Sequence, residues 1–556
     1  MKSSHPTITV AEYILHRLTE VGVQHLFGVP GDYNLRFLDY VIAHEVITWV
    51  GNANELNAAY AADGYARVKG VGALLTTFGV GELSAINGIA GSYAEYLPVV
   101  HIVGAPATTA QREHALLHHT LGDGDFGHFS RAQAEVTVAQ ATLRIADAAA
   151  EIDRVIATAL REHRPGYLVV PADVAVSAIA PPAAPLRLRE PAFSGRAFDA
   201  FLARAHEMLA RANSAVVLAD FLADRFDVQP LLRRLIRAGR FPHTTLSMGK
   251  GLLDETDPAF LGTYAGRASA APVRDRVVNA DVVVAVGVRF TDFTTAGFTQ
   301  DIADERLIDI QPFSARIGEE RYEPLPMAKA LLGLIGVVEE LARTWHGPST
   351  NLQVRGPHGG GELNQVELWS QIERFLQPND IVVAEQGTAF SGIAMKRFPK
   401  GVTLIGQPLW ASIGYSLPAA YGAQLAAPHR RVVLLIGDGA AQFTAQELGS
   451  MLRDGLKPVI VLINNGGYTI ERAIHGTSQP YNDIASWNWL VLPLAMMGGG
   501  TRSLALRADS TEGLERALAS AATADSLVFL EAHLPACDIP TLLQKILEAI
   551  AERNAA

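Results

Sequence analysis

The sequence predicts an α/β protein built from three doubly wound parallel-sheet domains. The chain has 556 residues, which at roughly 150 residues per domain suggests three or four compact units rather than one core. Short β-branched runs alternate with helix-period segments along the chain, the pattern typical of βαβ units. Two stretches rich in proline or glycine, residues 177–196 and 346–362, divide the chain into three pieces of similar size. We therefore expect domains at residues 1–180, 195–345 and 360–556.

Several apolar runs have the length and composition of buried strands. They are residues 74–77, 99–103 and 167–170 in the first piece, 215–219, 282–288 and 307–310 in the second, and 381–384, 432–436, 459–463 and 527–531 in the third. In open parallel sheets, ligands bind beyond the carboxyl ends of the strands. The residues that follow these runs are therefore the first places in which to look for a binding site.

The composition excludes several classes of protein. Acidic residues outnumber basic ones by 57 to 46, for a net charge of -11, and no run of Lys or Arg interrupts that balance. Nucleic acid is therefore not an expected partner. Only 19% of the residues are charged, against about 25% in ordinary globular chains, so more surface should be buried and an oligomer is expected. The single cysteine, Cys537, with only His533 near it, excludes an internal disulfide and a structural zinc site.

The sequence predicts a cytoplasmic protein without a membrane partner. The N-terminal residues lead directly into an amphipathic segment at 10–18, and no apolar stretch of signal-peptide length precedes it. Apolar runs elsewhere are short: residues 282–288, for example, are far fewer than the roughly 20 that a membrane span needs. We expect no transmembrane helix.

The third piece contains a pattern suited to a phosphate and a metal ion. The run 432–436 is followed by Gly437-Asp438-Gly439-Ala440-Ala441, and the later residues Thr444 to Glu447 fit a capping box at a helix start. Glycines let backbone N–H groups approach phosphate oxygens, and the Asp438 carboxylate can hold a hard cation. A tight turn that merely connects a strand to a helix would account for this pattern equally well.

A second pattern follows the next strand. The run 459–463 ends in Asn464-Asn465-Gly466-Gly467-Tyr468. The Asn465 amide oxygen and the Gly467 carbonyl could complete an octahedral Mg²⁺ site with Asp438, two diphosphate oxygens and water; an Asn-Gly turn is the alternative. Gly-Asp-Gly, 24 intervening residues and Asn-Asn together resemble the signature of thiamine diphosphate enzymes.

The resemblance implies which residues contact the cofactor. It makes the first domain pyrimidine-binding and the third diphosphate- and magnesium-binding, with a central domain between them. In Trp410-Ala-Ser-Ile413-Gly414, Ile413 would wedge under the cofactor and bend it into a V, and the Ala411 carbonyl would accept from the aminopyrimidine, although an Ile there is otherwise usually core. The implied contacts are Glu55, Thr388, Ala411, Ile413, Gly437, Asp438, Gly439, Ala440, Ala441, Asn465, Gly467, Tyr468, Thr469 and Ile470.

Glu55 is the implied activator of the cofactor. It lies in the first turn of a helical segment at residues 52–67, where a carboxylate also favours a helix N-terminus for ordinary reasons. By resemblance, Glu55 bonds the pyrimidine ring nitrogen. That bond promotes the imino tautomer, whose nitrogen removes the thiazolium C2 proton.

Four further residues match a proton relay in the decarboxylase branch of the family, which includes pyruvate, indolepyruvate, phenylpyruvate and branched-chain keto acid decarboxylases. Asp32 follows Pro-Gly, His118 and His119 are adjacent, and Glu471 lies one turn beyond the predicted metal loop. Histidine titrates near neutrality and suits protonation of an enamine carbon. Taken singly, these residues would be a turn aspartate, two unrelated histidines and an ordinary helix carboxylate.

The implied reaction is the non-oxidative decarboxylation of a 2-oxo acid to an aldehyde and carbon dioxide through a thiamine diphosphate enamine. The expected substrate is a branched or aromatic 2-oxo acid, and pyruvate is the alternative. The competing classes are a carboligase of the acetolactate-synthase type and a scaffold without activity. Ser391 stands where some relatives carry Phe, which would enlarge the pocket, whereas Phe293 and Phe390 would shrink it elsewhere. The implied substrate pocket is Phe293, Gln386, Phe390, Ser391, Ile470 and Ile474, of which the two isoleucines could instead be core.

The resemblance also implies an assembly. The first domain of one chain would face the third domain of another, so we expect a homodimer, commonly within a homotetramer, with active sites between chains. In the central piece, residues 284–290 lack the G-x-G-x-x-G spacing of a dinucleotide site.

Overall fold

The computed structural model describes residues 7–346, 361–497 and 503–555. They contain three large sheets flanked by helices, which confirms the predicted α/β fold class. The sheets draw their strands from residues 25–171, 215–322 and 381–533, and we call these parts the first, central and third domains. Of the second predicted linker, 347–360 lies outside the described residues, and the exact domain boundaries stay a prediction.

The first domain carries a parallel sheet. In chain order it contains β1 (Ile8–Thr9), α1 (Val10–Glu20), β2 (His25–Gly28), α2 (Leu35–Ile42), β3 (Thr48–Gly51), α3 (Glu55–Lys69), β4 (Gly72–Thr77), α4 (Val80–Ala94), β5 (Val99–Ala105), α5 (Thr108–Arg112), α6 (His128–Ala134), β6 (Ala139–Thr142), α7 (Ala148–Glu162), β7 (Gly166–Pro171), α8 (Ala172–Ala175) and β8 (Ala178–Ile179). The sheet order is β3-β2-β4-β5-β7-β6. Strands β4, β5 and β7 are buried throughout, as expected for parallel strands covered on both faces.

The central domain carries a mixed sheet. It contains α9 (Gly195–Arg211), β9 (Ala215–Ala219), α10 (Leu222–Arg225), α11 (Gln229–Gly239), β10 (His243–Thr245), β11 (Phe260–Thr263), α12 (Ala271–Val278), β12 (Val282–Val286), β13 (Leu307–Gln311), β14 (Ser314–Ile317), β15 (Glu320–Tyr322) and α13 (Met327–Leu341). The sheet order is β11-β10-β9-β12-β13-β14-β15.

The central sheet differs from the sequence prediction at two points. Strands β14 and β15 run antiparallel to their neighbours, so the sheet is not wholly parallel. The sequence does not predict these two strands, because both are short and contain charged residues such as Arg316 and Glu320. The run predicted at 282–288 ends as a strand at Val286, because Gly287 adopts a left-handed φ of 62° and turns the chain.

The third domain again carries a parallel sheet, in the order β17-β16-β18-β19-β21-β20. Its elements are α14 (Gln365–Phe375), β16 (Ile381–Ala384), α15 (Thr388–Ala394), β17 (Thr403–Ile405), α16 (Ser416–Ala426), β18 (Val432–Gly437), α17 (Asp438–Thr444), α18 (Glu447–Arg453), β19 (Val459–Asn464), α19 (Thr469–His475), α20 (Leu492–Ala495), β20 (Ser503–Ala508), α21 (Thr511–Thr523), β21 (Leu527–His533) and α22 (Thr541–Ala555). Every strand predicted in this piece is present.

Small residues let the first and third domains pack closely through α3 and α16. A Cβ atom at Gly64 would lie 2.2 Å from the Ala419 carbonyl oxygen, and one at Gly422 would lie 1.8 Å from the Ala61 carbonyl oxygen. Only glycine therefore fits at either position. The contact joins the helix that begins at Glu55 to the helix that follows Ile413.

Helix starts follow the capping residues that the sequence offers. Thr9 accepts from the Glu12 backbone N–H, and the Glu12 carboxylate accepts from the Thr9 N–H, so a capping box opens α1. The Asn54 side chain accepts from the Asn57 N–H and caps α3. Within the described ranges, no helix combines the length and apolarity needed to cross a membrane.

Candidate active site

A cleft of about 400 Å³ opens at the carboxyl edge of the third sheet. Strand β16 has β17 on one side and β18 on the other, so the winding of the sheet reverses beside the cleft, where open α/β sheets bind ligands. The lining comes from the turns after β16, β18 and β19, with two further residues from nearby loops: Glu385, Gln386, Gly387, Thr388, Ala389, Ile413, Gly437, Asp438, Gly439, Ala440, Asn465, Gly467, Tyr468, Thr469, Ile470, Glu471 and Tyr481.

Most of the residues predicted to contact a cofactor meet in this cleft. They are Thr388, Ile413, Gly437, Asp438, Gly439, Ala440, Asn465, Gly467, Tyr468, Thr469 and Ile470. Ala441 is buried in the first turns of α17, Ala411 lies on the exposed loop before α16, and Glu55 belongs to the first domain. Among the described residues, the lining therefore comes entirely from the third domain.

Asp438 is the first residue of α17 and is buried at the floor of the cleft. Its Oδ1 accepts from the Gly439 N–H at 2.8 Å, and its Oδ2 accepts from the Gly467 N–H at 3.0 Å. Burial raises the pKa of Asp438 to about 6, although these backbone donors oppose the shift. The carboxylate thus joins the turn after β18 to the turn after β19.

The Asn465 amide completes a cluster of oxygens beside Asp438. One of its terminal atoms lies 3.1 Å from Asp438 Oδ1 and 3.0 Å from the Gly467 carbonyl oxygen, and the other lies 2.9 Å from Thr469 Oγ1. The Thr469 hydroxyl donates its only hydrogen to the Ala536 carbonyl at 2.8 Å, so it can only accept from Asn465. The amide nitrogen therefore faces Thr469 and the amide oxygen faces the other two oxygens. Three converging oxygens without a hydrogen between them suit a hard cation such as Mg²⁺.

This orientation of the amide predicts a role for the Thr469 hydroxyl. In Thr469→Val, nothing holds the amide nitrogen, so the amide can turn and donate to Asp438 and Gly467 instead of presenting its oxygen. We expect the Mg²⁺ concentration needed for half-maximal cofactor binding to rise about fivefold, the effect of one hydrogen bond. Titrating Mg²⁺ against bound cofactor measures it. Thr469→Ser keeps the hydroxyl and should match the wild type; equal behaviour of the two variants would contradict the assigned orientation.

The predicted capping box at Thr444 and Glu447 is wrong. The helix α17 already begins at Asp438, and Thr444, its last residue, donates its hydroxyl to the Gly414 carbonyl. The Glu447 carboxylate points to the first domain, where it accepts from the side chains of Asn52 at 2.9 Å and Asn57 at 2.8 Å. Its partners come from another domain, so the local spacing could not disclose them.

Glu55 occupies the first turn of α3, as predicted. It is half-buried, and burial raises the pKa of its carboxyl above the ordinary value. A Cβ atom at Gly81 would lie 3.2 Å from Glu55 Oε1, so glycine keeps the space beside the carboxylate open. The Asn54 cap and the Glu447 bonds hold the turn that carries it.

The structure brings three of the four predicted relay residues together. His118 Nε2 lies 2.5 Å from Asp32 Oδ2, and His119 Nε2 lies 3.8 Å from Asp32 Oδ1. The Tyr33 ring stacks on His118 with centroids 5.0 Å apart and planes 13° apart. Both rings thus face one carboxylate on an accessible surface of the first domain. Glu471 lies instead in the third-domain cleft.

The loop before α16 carries Ile413 to the cleft, where this side chain is 38% exposed. Ala411 and Gly414 on either side adopt left-handed φ angles of 58° and 83°. For Ala411 that conformation costs about 1 kcal/mol or more and persists only where the surroundings hold it. One stabilising contact comes from the first domain, where the Tyr60 hydroxyl lies 2.6 Å from Ser412 Oγ.

Of the six residues predicted to form the substrate pocket, the structure places two in the lining of the cleft and four outside it. Gln386 and Ile470 line the cleft, and the Gln386 Oε1 atom has no hydrogen-bond partner among the described residues. Phe390 and Ser391 are buried in α15, with the Phe390 ring 6.4 Å from that of Phe293. Ile474 is 61% exposed, so it is not a core residue in this chain.

Sequence reasoning missed four residues that also line the cleft: Glu385, Gly387, Ala389 and Tyr481. Glu385 directly follows the strand predicted at 381–384. The rule that ligands gather after strands of an open parallel sheet would therefore have found it. Tyr481 lies in a short 3₁₀ turn far from any predicted strand, and no sequence signal pointed to it.

Comparison with known proteins identifies three domains in the same order along the chain. Residues 8–125 match the thiamine pyrophosphate enzyme N-terminal TPP binding domain, 202–338 match its central domain and 388–532 match its C-terminal TPP binding domain. An alpha-keto-acid decarboxylase from Mycobacterium tuberculosis is 50% identical over 557 residues, covering 99% of this chain and 98% of that protein. Similar proteins with the same name occur in Mycobacterium ulcerans, 49% identical with 99% and 97% covered, and Mycobacterium leprae, 49% identical with 98% and 96% covered.

Proposed function

Because the chain belongs to the thiamine pyrophosphate enzyme family, we propose that it decarboxylates a 2-oxo acid non-oxidatively to an aldehyde and carbon dioxide. The observation that carries this proposal is that the chain contains two sites, each suited to one part of the reaction. One is the third-domain cleft with its oxygen cluster, and the other is the Asp32–His118–His119 cluster on the first domain. The name of the mycobacterial relatives, alpha-keto-acid decarboxylase, supports the same reaction.

Thiamine diphosphate is the cofactor, since both TPP binding domains are present; when bound, it supplies an acceptor for the electrons released as carbon dioxide leaves. The N-terminus of α17 and the adjacent glycine turns suit its diphosphate. Asp438, Asn465 and the Gly467 carbonyl would hold Mg²⁺, whose charge would offset that of the diphosphate.

The acidic and basic side chains divide the proton transfers. Glu55, whose carboxyl has a raised pKa, holds a proton on the pyrimidine ring nitrogen. The imidazoles of His118 and His119, oriented by the Asp32 carboxylate, deliver the proton that ends up on the product carbon. Glu471 lies in the cleft, where it assists loss of carbon dioxide and the same protonation.

The proposed active site lies between two chains. The cleft lining contains no described residue of the first domain, so Glu55 and the relay of a partner chain would complete it. Large apolar side chains are exposed on both domains that carry these sites, Val80, Leu83 and Leu116 on the first and Leu409, Trp410, Phe443 and Tyr481 on the third. They support a homodimer, alone or within a homotetramer, and the cytoplasmic location stays a prediction.

We further propose a substrate with an apolar branched or aromatic side chain. By resemblance to the family, the small residue Ser391, which is buried in α15, would enlarge the pocket relative to a Phe. Gln386 and Ile470 line the cleft itself. Each methylene of the substrate changes binding by only about 1 to 3 kcal/mol in such a pocket. Related 2-oxo acids should therefore overlap as substrates.

Carbon dioxide release from pyruvate, 2-oxoisovalerate, phenylpyruvate and indolepyruvate tests both proposals. With thiamine diphosphate and Mg²⁺ present, we expect release from all four and a higher kcat/KM for the branched or aromatic acids. Without cofactor, no release is expected. Preference for pyruvate would overturn the substrate proposal. An acyloin product in place of an aldehyde would instead favour a carboligase of the acetolactate-synthase type.

A further inference from the structure

Glu385 is a buried carboxylate that the proposed reaction leaves without a role. It follows the last residue of β16, lines the cleft and is only 2% exposed. Its Oε1 accepts from the Gly414 N–H at 3.2 Å, and its Oε2 accepts from the Ser416 N–H at 3.1 Å and the Ser416 hydroxyl at 2.5 Å. Each oxygen thus bonds the loop that carries Ile413.

The partners of this carboxylate are all uncharged. Within the described ranges, its hydrogen-bond donors are two backbone N–H groups and one hydroxyl, and burial raises the pKa of the Glu385 carboxyl to about 7. A buried anion held only by neutral donors is costly for folding. Proteins keep such a costly buried group mainly at functional sites. The loop that Glu385 bonds carries Ile413, which lines the cleft.

The bonded loop has little freedom to move. A Cβ atom at Gly414 would lie 2.7 Å from the Phe443 Cβ, and the Gly414 carbonyl accepts from the Thr444 hydroxyl. The loop is therefore packed against α17, the helix that starts at Asp438. Glu385 directly follows β16 and bonds this loop, so its carboxylate connects β16 to the loop, and Glu385 and Ile413 both line the cleft.

We propose that Glu385 is a positioning residue: its carboxylate holds the Gly414–Ser416 backbone so that Ile413 projects into the cleft and sets the bound shape of thiamine diphosphate. This inference rests on the proposed function. It concerns the orientation of the cofactor, whereas Glu55, His118 and His119 move protons.

Glu385→Gln tests the proposal because it keeps the shape and offers one acceptor oxygen instead of two. We expect the dissociation constant of thiamine diphosphate with Mg²⁺ to rise about tenfold, as for the loss of a hydrogen bond to a charged group. Deuterium exchange at C2 of the bound cofactor, followed by proton NMR, should slow by about the same factor. C2 exchange needs no substrate, so it reports cofactor orientation directly.

Two further variants separate positioning from stability. Asp380→Asn removes another buried carboxylate, at the opposite end of β16 where it pairs with Arg431; it should lower the thermal midpoint and leave C2 exchange unchanged. Ser416→Ala keeps the charge of Glu385 and removes one donor, so a smaller slowing is expected, and it remains informative if Glu385→Gln does not fold.

The outcomes are distinct. C2 exchange in Glu385→Gln within about twofold of the wild type, whatever its thermal midpoint, would overturn the positioning role; so would a Ser416→Ala variant with unchanged exchange if only that variant folds. A wild-type protein that exchanges C2 but releases no carbon dioxide would overturn the proposed reaction and leave the positioning role intact. Absence of thiamine diphosphate binding would overturn both.

Discussion

Replacing Glu55 by Gln is expected to lower kcat for carbon dioxide release by about a thousandfold, within the range of a general acid–base group. The amide cannot hold and release a proton at the pyrimidine nitrogen. The fold should be unaffected, because Asn54 still caps α3 and the Glu447 bonds to Asn52 and Asn57 remain. Single-turnover carbon dioxide release with saturating cofactor measures the effect.

A matched control is available in the third domain. Glu512 also occupies the first turn of a helix, α21, and is exposed. Glu512→Gln should leave kcat unchanged. That result would show that loss of a carboxylate from the first turn of a helix does not by itself lower the rate of carbon dioxide release. Wild-type activity in Glu55→Gln would refute the assigned role.

Replacing Asp438 by Asn is expected to weaken Mg²⁺-dependent retention of thiamine diphosphate by about a hundredfold, since the charged ligand of the cation is lost. The amide occupies the same volume, and its oxygen can still accept from a backbone N–H. Dialysis against buffered Mg²⁺ followed by measurement of the retained cofactor reports the change. Asp525→Asn, at a side chain that is 93% exposed, should retain cofactor normally. Unchanged retention in Asp438→Asn would remove this residue from the metal site.

The same residue predicts a pH dependence. Burial raises the pKa of Asp438 to about 6, so below that pH a proton competes with Mg²⁺ for the carboxylate. The Mg²⁺ requirement of the wild type should therefore increase as the pH falls through 6, and more steeply than in Asp438→Asn, which has no carboxyl to titrate there. Parallel Mg²⁺ titrations at pH 7 and 5 compare the two.

Local sequence patterns are enough to predict the fold class and most of the residues that line the cleft. Buried parallel strands are rich in continuous β-branched and other apolar residues, so the runs 432–436 and 459–463 predict strands, and both are present. The turns behind them carry Asp438 and Asn465 at a fixed distance from the strand ends. Hydrophobic periodicity and turn composition depend only on residues close together in the chain, so they can be read from the sequence.

Which side chains come together is visible only in the folded chain. The fold placed Asp32 against His118 across 86 positions of the chain, turned Glu447 from a supposed helix cap into a partner of the first domain, and revealed Glu385 behind the Ile413 loop. Each of these depends on hydrogen bonds between segments far apart in sequence. A side chain's partners are set by how distant segments pack, within a domain or between domains, and the spacing of residues along one segment carries no record of that packing.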